Sequence, residues 1–153
     1  ALLFAPWQQL PSDADRRTAE DFIARLRAVP ADVYVIDHGY YAALAGKRTF
    51  AQGMAVTDVI RGDTGPIGRA LADEIHRAIA TKQFGAVVVG TVVPDVVEPQ
   101  RTRAIHLSSW PPGLVEALER YYVPTMVLYA NTRAFTPRVG WPRRPCVIYT
   151  PKP

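Results

Sequence analysis

Residues 34–62 read YVIDHGYYAALAGKRTFAQGMAVTDVIRG and gather the side chains of this chain best suited to chemistry. Asp37 and His38 follow an apolar run of strand character. An adjacent carboxyl and imidazole can serve as acid, base or ligand. Tyr40 and Tyr41 come next, and planar rings either stack on sugars or pack in a core. Lys47, Asp58 and Arg61 complete the stretch. Cations suit phosphates, and convergent polar groups suit sugar hydroxyls. The candidate binding residues are therefore His38, Tyr40, Tyr41, Lys47, Asp58 and Arg61. The plain alternative is that Asp37 caps the following helix and His38 is a turn residue. One His beside one Asp is not a triad, and no Ser or Cys stands in a nucleophile-elbow pattern.

The elements that must hold these residues can be read from hydrophobic period and breakers. Ser12 to Asp15 offers N-caps for a helix to about Ala28, with Phe22, Ile23, Leu26 and Val29 on one face and Pro30 as its stop. Asp32–Asp37 reads as a strand. A short helix over about Tyr40–Ala45 closes at Gly46, and 54–60 fits strand or helix equally well. Pro66 opens a helix to about Lys82, with Ile67, Leu71, Ile75 and Ile79 expected inward. Gly85–Gly90 (GAVVVG) reads as a strand covered on both faces. A helix from Gly113 to about Tyr121 and strands at Val123–Ala130 and Cys146–Thr150 follow. The order predicts a single α/β domain over 1–153, a sandwich with a mixed, mainly parallel sheet flanked by helices and a C-terminal strand pair. The end of the strand before Asp37 is then the sheet edge where ligands bind in open α/β folds.

Other motifs carry less. Gly62, Gly65 and Gly68 precede a helix, as in phosphate cradles, but the spacing is wrong, no Walker lysine follows, and Asp63 would repel an anion. His38, His76 and His106 are far apart, and no paired-histidine motif occurs, so no metal is expected. Asp95 and Glu98 follow the valine-rich strand and can face the same sheet edge as Asp37. The stretch from Asn131 holds Arg133, Arg138, Arg143 and Arg144 with Phe135 and Trp141, a composition that suits an anionic membrane surface or a solvated loop.

Composition narrows the class. The 153 residues are 48% hydrophobic and 21% charged, which is globular and not disordered. The formal charge of +4 is too small to argue for nucleic acid, and no nucleic-acid-binding motif is present. The lone Cys146 excludes an intrachain disulfide. Nothing calls for a cofactor. The opening ALLFAPWQQL is short for a membrane span, and a Trp beside an apolar run fits a membrane boundary or a packed N-terminal arm.

Several short motifs together resemble the C-terminal soluble domain of bacterial polytopic GT-C-type membrane glycosyltransferase-like proteins. The matching residues are Pro11–Arg16, Val33–Ile36, His38, Tyr40, Tyr41, Leu44–Lys47, Gln52, Met54–Ala55 and Asp58–Gly62. The Phe84–Val89 strand and the late Gly140–Tyr149 segment are similar too. The resemblance implies a membrane-anchored parent, with this domain on the extracytoplasmic face and residues 1–11 as an exit from a membrane helix. In that class catalysis belongs to acidic residues in loops between membrane helices, with a polyprenyl-phosphate sugar as donor. No catalytic residue carries over to this chain. The implied role is accessory: recognition of an acceptor glycan or a partner, with the parent's own transmembrane region as neighbour. The competing expectation is a stand-alone α/β hydrolase or transferase using Asp37 and His38 as an acid–base pair. A third is an interaction module with an exposed apolar patch.

Overall fold

The computed structural model describes residues 13–62, 65–90, 113–128 and 146–153. Within them the chain forms α1 (Asp13–Ala28), β1 (Val33–Val35), α2 (Tyr40–Leu44), α3 (Gly53–Gly62), α4 (Pro66–Ala80), β2 (Ala86–Gly90), α5 (Leu114–Tyr121), β3 (Tyr122–Leu128) and β4 (Cys146–Pro151). The four strands make one sheet in the order β1-β2-β4-β3. β1 and β2 run parallel, while β4 runs antiparallel to both β2 and β3. The α/β class, the mixed sheet, the flanking helices and the C-terminal strand pair are as expected. The balance within the sheet differs from a mainly parallel one. β4 inserts between β2 and β3 and opposes both, which leaves one parallel pair.

Side-chain alternation along the strands builds a core on each face. On one face Val33, Val35, Ala86, Val88 and Ile148 pack against Phe22 and Leu26 of α1 and Ala42 of α2. On the other, Tyr34, Ile36, Val87 and Val89 pack against Ile79 of α4 and Leu114 and Leu118 of α5. β2 is the central strand, and Ala86 and Val87 are fully buried. Each valine removed from water there contributes roughly 1.5–3 kcal/mol. Tyr122 is buried on the second face and donates its hydroxyl to the Phe84 carbonyl at 3.0 Å, so its polar tip is satisfied.

Three expectations change. The ambiguous 54–60 segment is helical, as part of α3, and packs on α4. In α4, Ile79 is buried but Ile67 is 68% exposed. A four-residue step overshoots a helical turn by about 40°, so three steps carry Ile67 about 120° round from Ile79. β1 spans three residues and not the whole of 32–37, for a reason found at its carboxyl end.

Candidate functional site

The β1–β2 ladder stops abruptly. Val35 pairs with Val88, and the Ile36 N–H still donates to the Val88 carbonyl at 3.1 Å. The next rung of a parallel ladder would join the Gly90 N–H to the Ile36 carbonyl. Both groups are engaged elsewhere. The Ile36 carbonyl accepts the Gly53 N–H at 2.8 Å, and the Gly90 N–H donates to Asp37 Oδ2 at 2.9 Å. The two strands therefore part at their carboxyl ends, with a carboxylate standing where a carbonyl would be. Gln52 Nε2 donates to the Asp37 carbonyl at 3.1 Å, so the start of α3 is tied to the same turn. A Cβ at position 90 would fall well inside contact distance of Asp37 Oδ2, so the glycine makes room for that carboxylate.

Beyond Asp37 the chain turns into α2, which begins without a side-chain cap at Gly39. Asp37 is thus a strand-end clamp and does not cap α2. The helix ends in a Schellman arrangement: Gly46, at φ 70°, donates to the Ala43 carbonyl at 2.9 Å, and Lys47 N–H to Ala42 at 2.9 Å. A positive φ at position 46 explains the glycine there.

The short helix presents its aromatic residues as a cluster. The half-buried Tyr41 meets Phe22 of α1 edge to face, with centroids 5.2 Å apart at 84°. The Tyr40 ring lies 4.3 Å from that of Tyr41 at 42°, and Tyr40 is 55% exposed. His38 is exposed and lies 5.8 Å from Tyr40 and 5.9 Å from Tyr41. No hydrogen bond joins His38 to Asp37 among the described residues. Burial, and secondarily the Asp37 charge, push the Tyr34 phenol up to about 12.

The remaining sequence candidates lie apart from this cluster. The Lys47 ammonium donates to the Val29 carbonyl beyond the end of α1, and Arg27 Nη2 donates to the Leu44 carbonyl at 3.3 Å. Lys47 thus fastens α2 to α1. Asp58 and Arg61 are exposed on α3, about 8 and 12 Å along the helix from Gly53. Arg61 stands in the last turn, where a cation complements the helix dipole. The structure thus groups Asp37, His38, Tyr40 and Tyr41, and it adds Gln52, Gly53 and Gly90, which were not among the candidate site residues. The first two act through an ordinary amide and a backbone N–H, which carry no chemical signature. The Gly90 signal was visible as a glycine ending a valine run, a mark of close approach.

Gly62 ends α3, Gly65 is the N-cap of α4 and Gly68 is buried in the first turn of α4, so these glycines build a helix–helix junction. Asp63, Asp95, Glu98, His106, the arginines of 131–145 and the opening segment lie outside the described residues. Two grooves among the described residues include neither Asp37 nor the aromatic turn. One, lined by Pro66, Ile67 and Leu71, runs along α4, and the other, lined by His76, Arg120 and Tyr121, lies between α4 and α5. Among the described residues no metal-holding cluster of His, Cys, Asp or Glu occurs, and no helix is long and apolar enough to cross a membrane. Comparison of the chain with protein-family models, with curated proteins and with solved structures finds no match.

Proposed function

We propose that this chain is an accessory recognition domain of a membrane-bound glycosyltransferase-like protein, displayed on the extracytoplasmic face, and that residues 37–41 are its glycan-contacting turn. The observation that carries the reading is the Tyr40 ring: it is 55% exposed, yet it is backed by Tyr41, which is itself braced on Phe22. An exposed ring on a fixed base loses little freedom when a sugar stacks on it. His38 adds a third ring at the rim. The resemblance of its short motifs to soluble domains of GT-C-type proteins supplies the glycosyl context. In that setting the ligand is an acceptor glycan or the sugar of a polyprenyl-phosphate donor, and the chain needs no catalytic group of its own. The acid–base alternative needs Asp37 and His38 free to act on one substrate, and the Gly90 N–H on Asp37 together with the rings around His38 favours the recognition reading over it. Titration of the isotope-labelled chain with neutral trisaccharides, followed by amide chemical shifts, tests the proposal. Shifts centred on residues 38–41 support it, and an unresponsive turn removes it.

A further inference from the structure

We infer that the groove between α4 and α5 is a second binding site, for a phosphate monoester carried on a polyol such as a sugar, with Arg77 and Arg120 as its phosphate contacts. The site goes beyond the glycan reading and does not rest on it. The aromatic turn lies with α1 and α2 on one face of the sheet, whereas α4 and α5 cover the other. The groove has a volume of about 410 Å³, within the roughly 300–1,000 Å³ of small-ligand clefts. Arg77 and Ala80 line it from α4, and Glu116, Ala117, Arg120 and Tyr121 line it from α5. The short side chains of Ala80 and Ala117 leave the space open between the longer ones.

Both arginines are exposed, and each stands in the last turn of its helix. A cation in a last turn ordinarily serves the helix end. Here those ends are already served. The Arg77 carbonyl accepts the Thr81 N–H at 2.9 Å and the Thr81 hydroxyl at 2.8 Å. The Ala78 and Ile79 carbonyls accept the N–H groups of Gln83 and Lys82, each at 3.0 Å. On α5 the Glu119 carbonyl accepts the Lys152 ammonium at 2.7 Å, and the Tyr121 carbonyl accepts the Lys152 N–H at 2.9 Å. Each arginine also follows an acid by four residues, Asp73 and Glu116, which is the spacing at which Arg25 pairs with Asp21 at 3.1 Å. Neither takes that pairing, because Arg25–Asp21 is the one ion pair among the described residues. The Arg120 guanidinium lies instead 5.6 Å from the centre of the Tyr121 ring, which limits its orientations.

Two guanidiniums, one from each wall, match a dianion, and their forked N–H groups match phosphate oxygens. A phosphate monoester carries about two negative charges at pH 7. A carboxylate ligand carries half of that. Glu116 opposes a bare anion but accepts hydroxyl hydrogens, so it selects an ester whose organic part is a polyol.

The test titrates wild type, Arg77→Gln, Arg120→Gln and Arg25→Gln with glucose 6-phosphate and with glucose, by calorimetry and amide chemical shifts. Arg25 lies on α1, so its variant removes one charge away from the groove. Wild type is expected to bind glucose 6-phosphate with shifts in residues 76–80 and 116–121, and glucose is expected to leave those residues unmoved. Arg77→Gln and Arg120→Gln should each weaken the ester roughly 5- to 10-fold, and Arg25→Gln should not. Vesicles of phosphatidylcholine with phosphatidylinositol 4-phosphate present the same chemistry on a lipid. A response to either probe that needs both groove arginines supports the site, and the probe that responds names the source. An equal loss in all three variants would reduce the effect to net charge and overturn the site. Shifts outside α4 and α5, or no binding of either phosphate probe to wild type, would overturn it as well. Neutral trisaccharides report on residues 38–41 separately, so the glycan reading stands or falls by its own titration.

Discussion

Asp37 Oδ2 takes the Gly90 N–H at 2.9 Å in the place that the Ile36 carbonyl would occupy if the β1–β2 ladder continued. One side chain thus ends a parallel pairing and fixes a carboxylate between two strand ends. All the near atoms that a Cβ on Gly90 would meet belong to Asp37. Gly90→Ala should therefore cost about 1–3 kcal/mol through overpacking. Asp37→Ala should cost about 1–3 kcal/mol, because the Gly90 N–H loses its acceptor. The double variant should cost clearly less than the sum, since the added methyl group then has room. Urea denaturation of the four proteins measures the coupling, and strict additivity would show that the two residues do not meet.

Tyr40 and Tyr41 are neighbours in sequence and should separate by experiment. Tyr40 is 55% exposed, so Tyr40→Ala should change stability by no more than about 0.5 kcal/mol while weakening sugar binding. Tyr41 packs edge to face on Phe22, so Tyr41→Ala should lose roughly 1–2 kcal/mol of stability as well as binding. Thermal unfolding beside the sugar titration distinguishes the roles.

Lys47 should behave as a structural residue. Its ammonium sits on the Val29 carbonyl, and Lys47→Met removes that bond while keeping most of the apolar stem. The expected loss is about 1–2 kcal/mol, with unchanged affinity for neutral sugars. A selective loss of affinity at constant stability would return Lys47 to the binding surface.

Tyr34 gives the fold an alkaline limit. Its phenol is raised from 10.0 to about 12, first by burial and then by the Asp37 charge. The folded chain therefore keeps a proton that the unfolded chain releases between about pH 10 and 12. Stability from this source is fully present below pH 10 and falls as pH rises through that window, by on the order of 2–3 kcal/mol. The hydroxyl makes no hydrogen bond among the described residues, so Tyr34→Phe should fold and show a flatter alkaline decline. Tyr122, also raised by burial, leaves a residual slope. Equal alkaline profiles for Tyr34→Phe and wild type would contradict the burial argument.

Much of this architecture can be read directly from residue order. The period of Phe22, Leu26 and Val29, the Pro30 stop, the Pro66 start and the valine run of β2 all act locally, and local signals survive folding. The α2 boundary was equally legible, because Gly46 is required by a positive φ. The position of β4 between β2 and β3 was not, since pairing partners are chosen by long-range packing. The shared turn of His38, Tyr40 and Tyr41 was visible because they are adjacent in the chain. Asp37 was visible as a carboxylate, but its partner lies 53 residues away, so its role as a clamp required the fold. The contact of Lys47 with the Val29 carbonyl was not legible, because a lysine in a polar stretch looks the same whether its ammonium meets a ligand or a helix end.

The most direct test of the glycan reading is a titration of the isotope-labelled chain and its Tyr40→Ala variant with a neutral trisaccharide, followed residue by residue through the amide spectrum. The account expects shifts confined to residues 37–41 and Gly90 in the wild type, and affinity reduced roughly 5- to 10-fold in Tyr40→Ala. Shifts that map instead to the α3–α4 face around the exposed Met54 and Ile67, or binding indifferent to Tyr40, would contradict it.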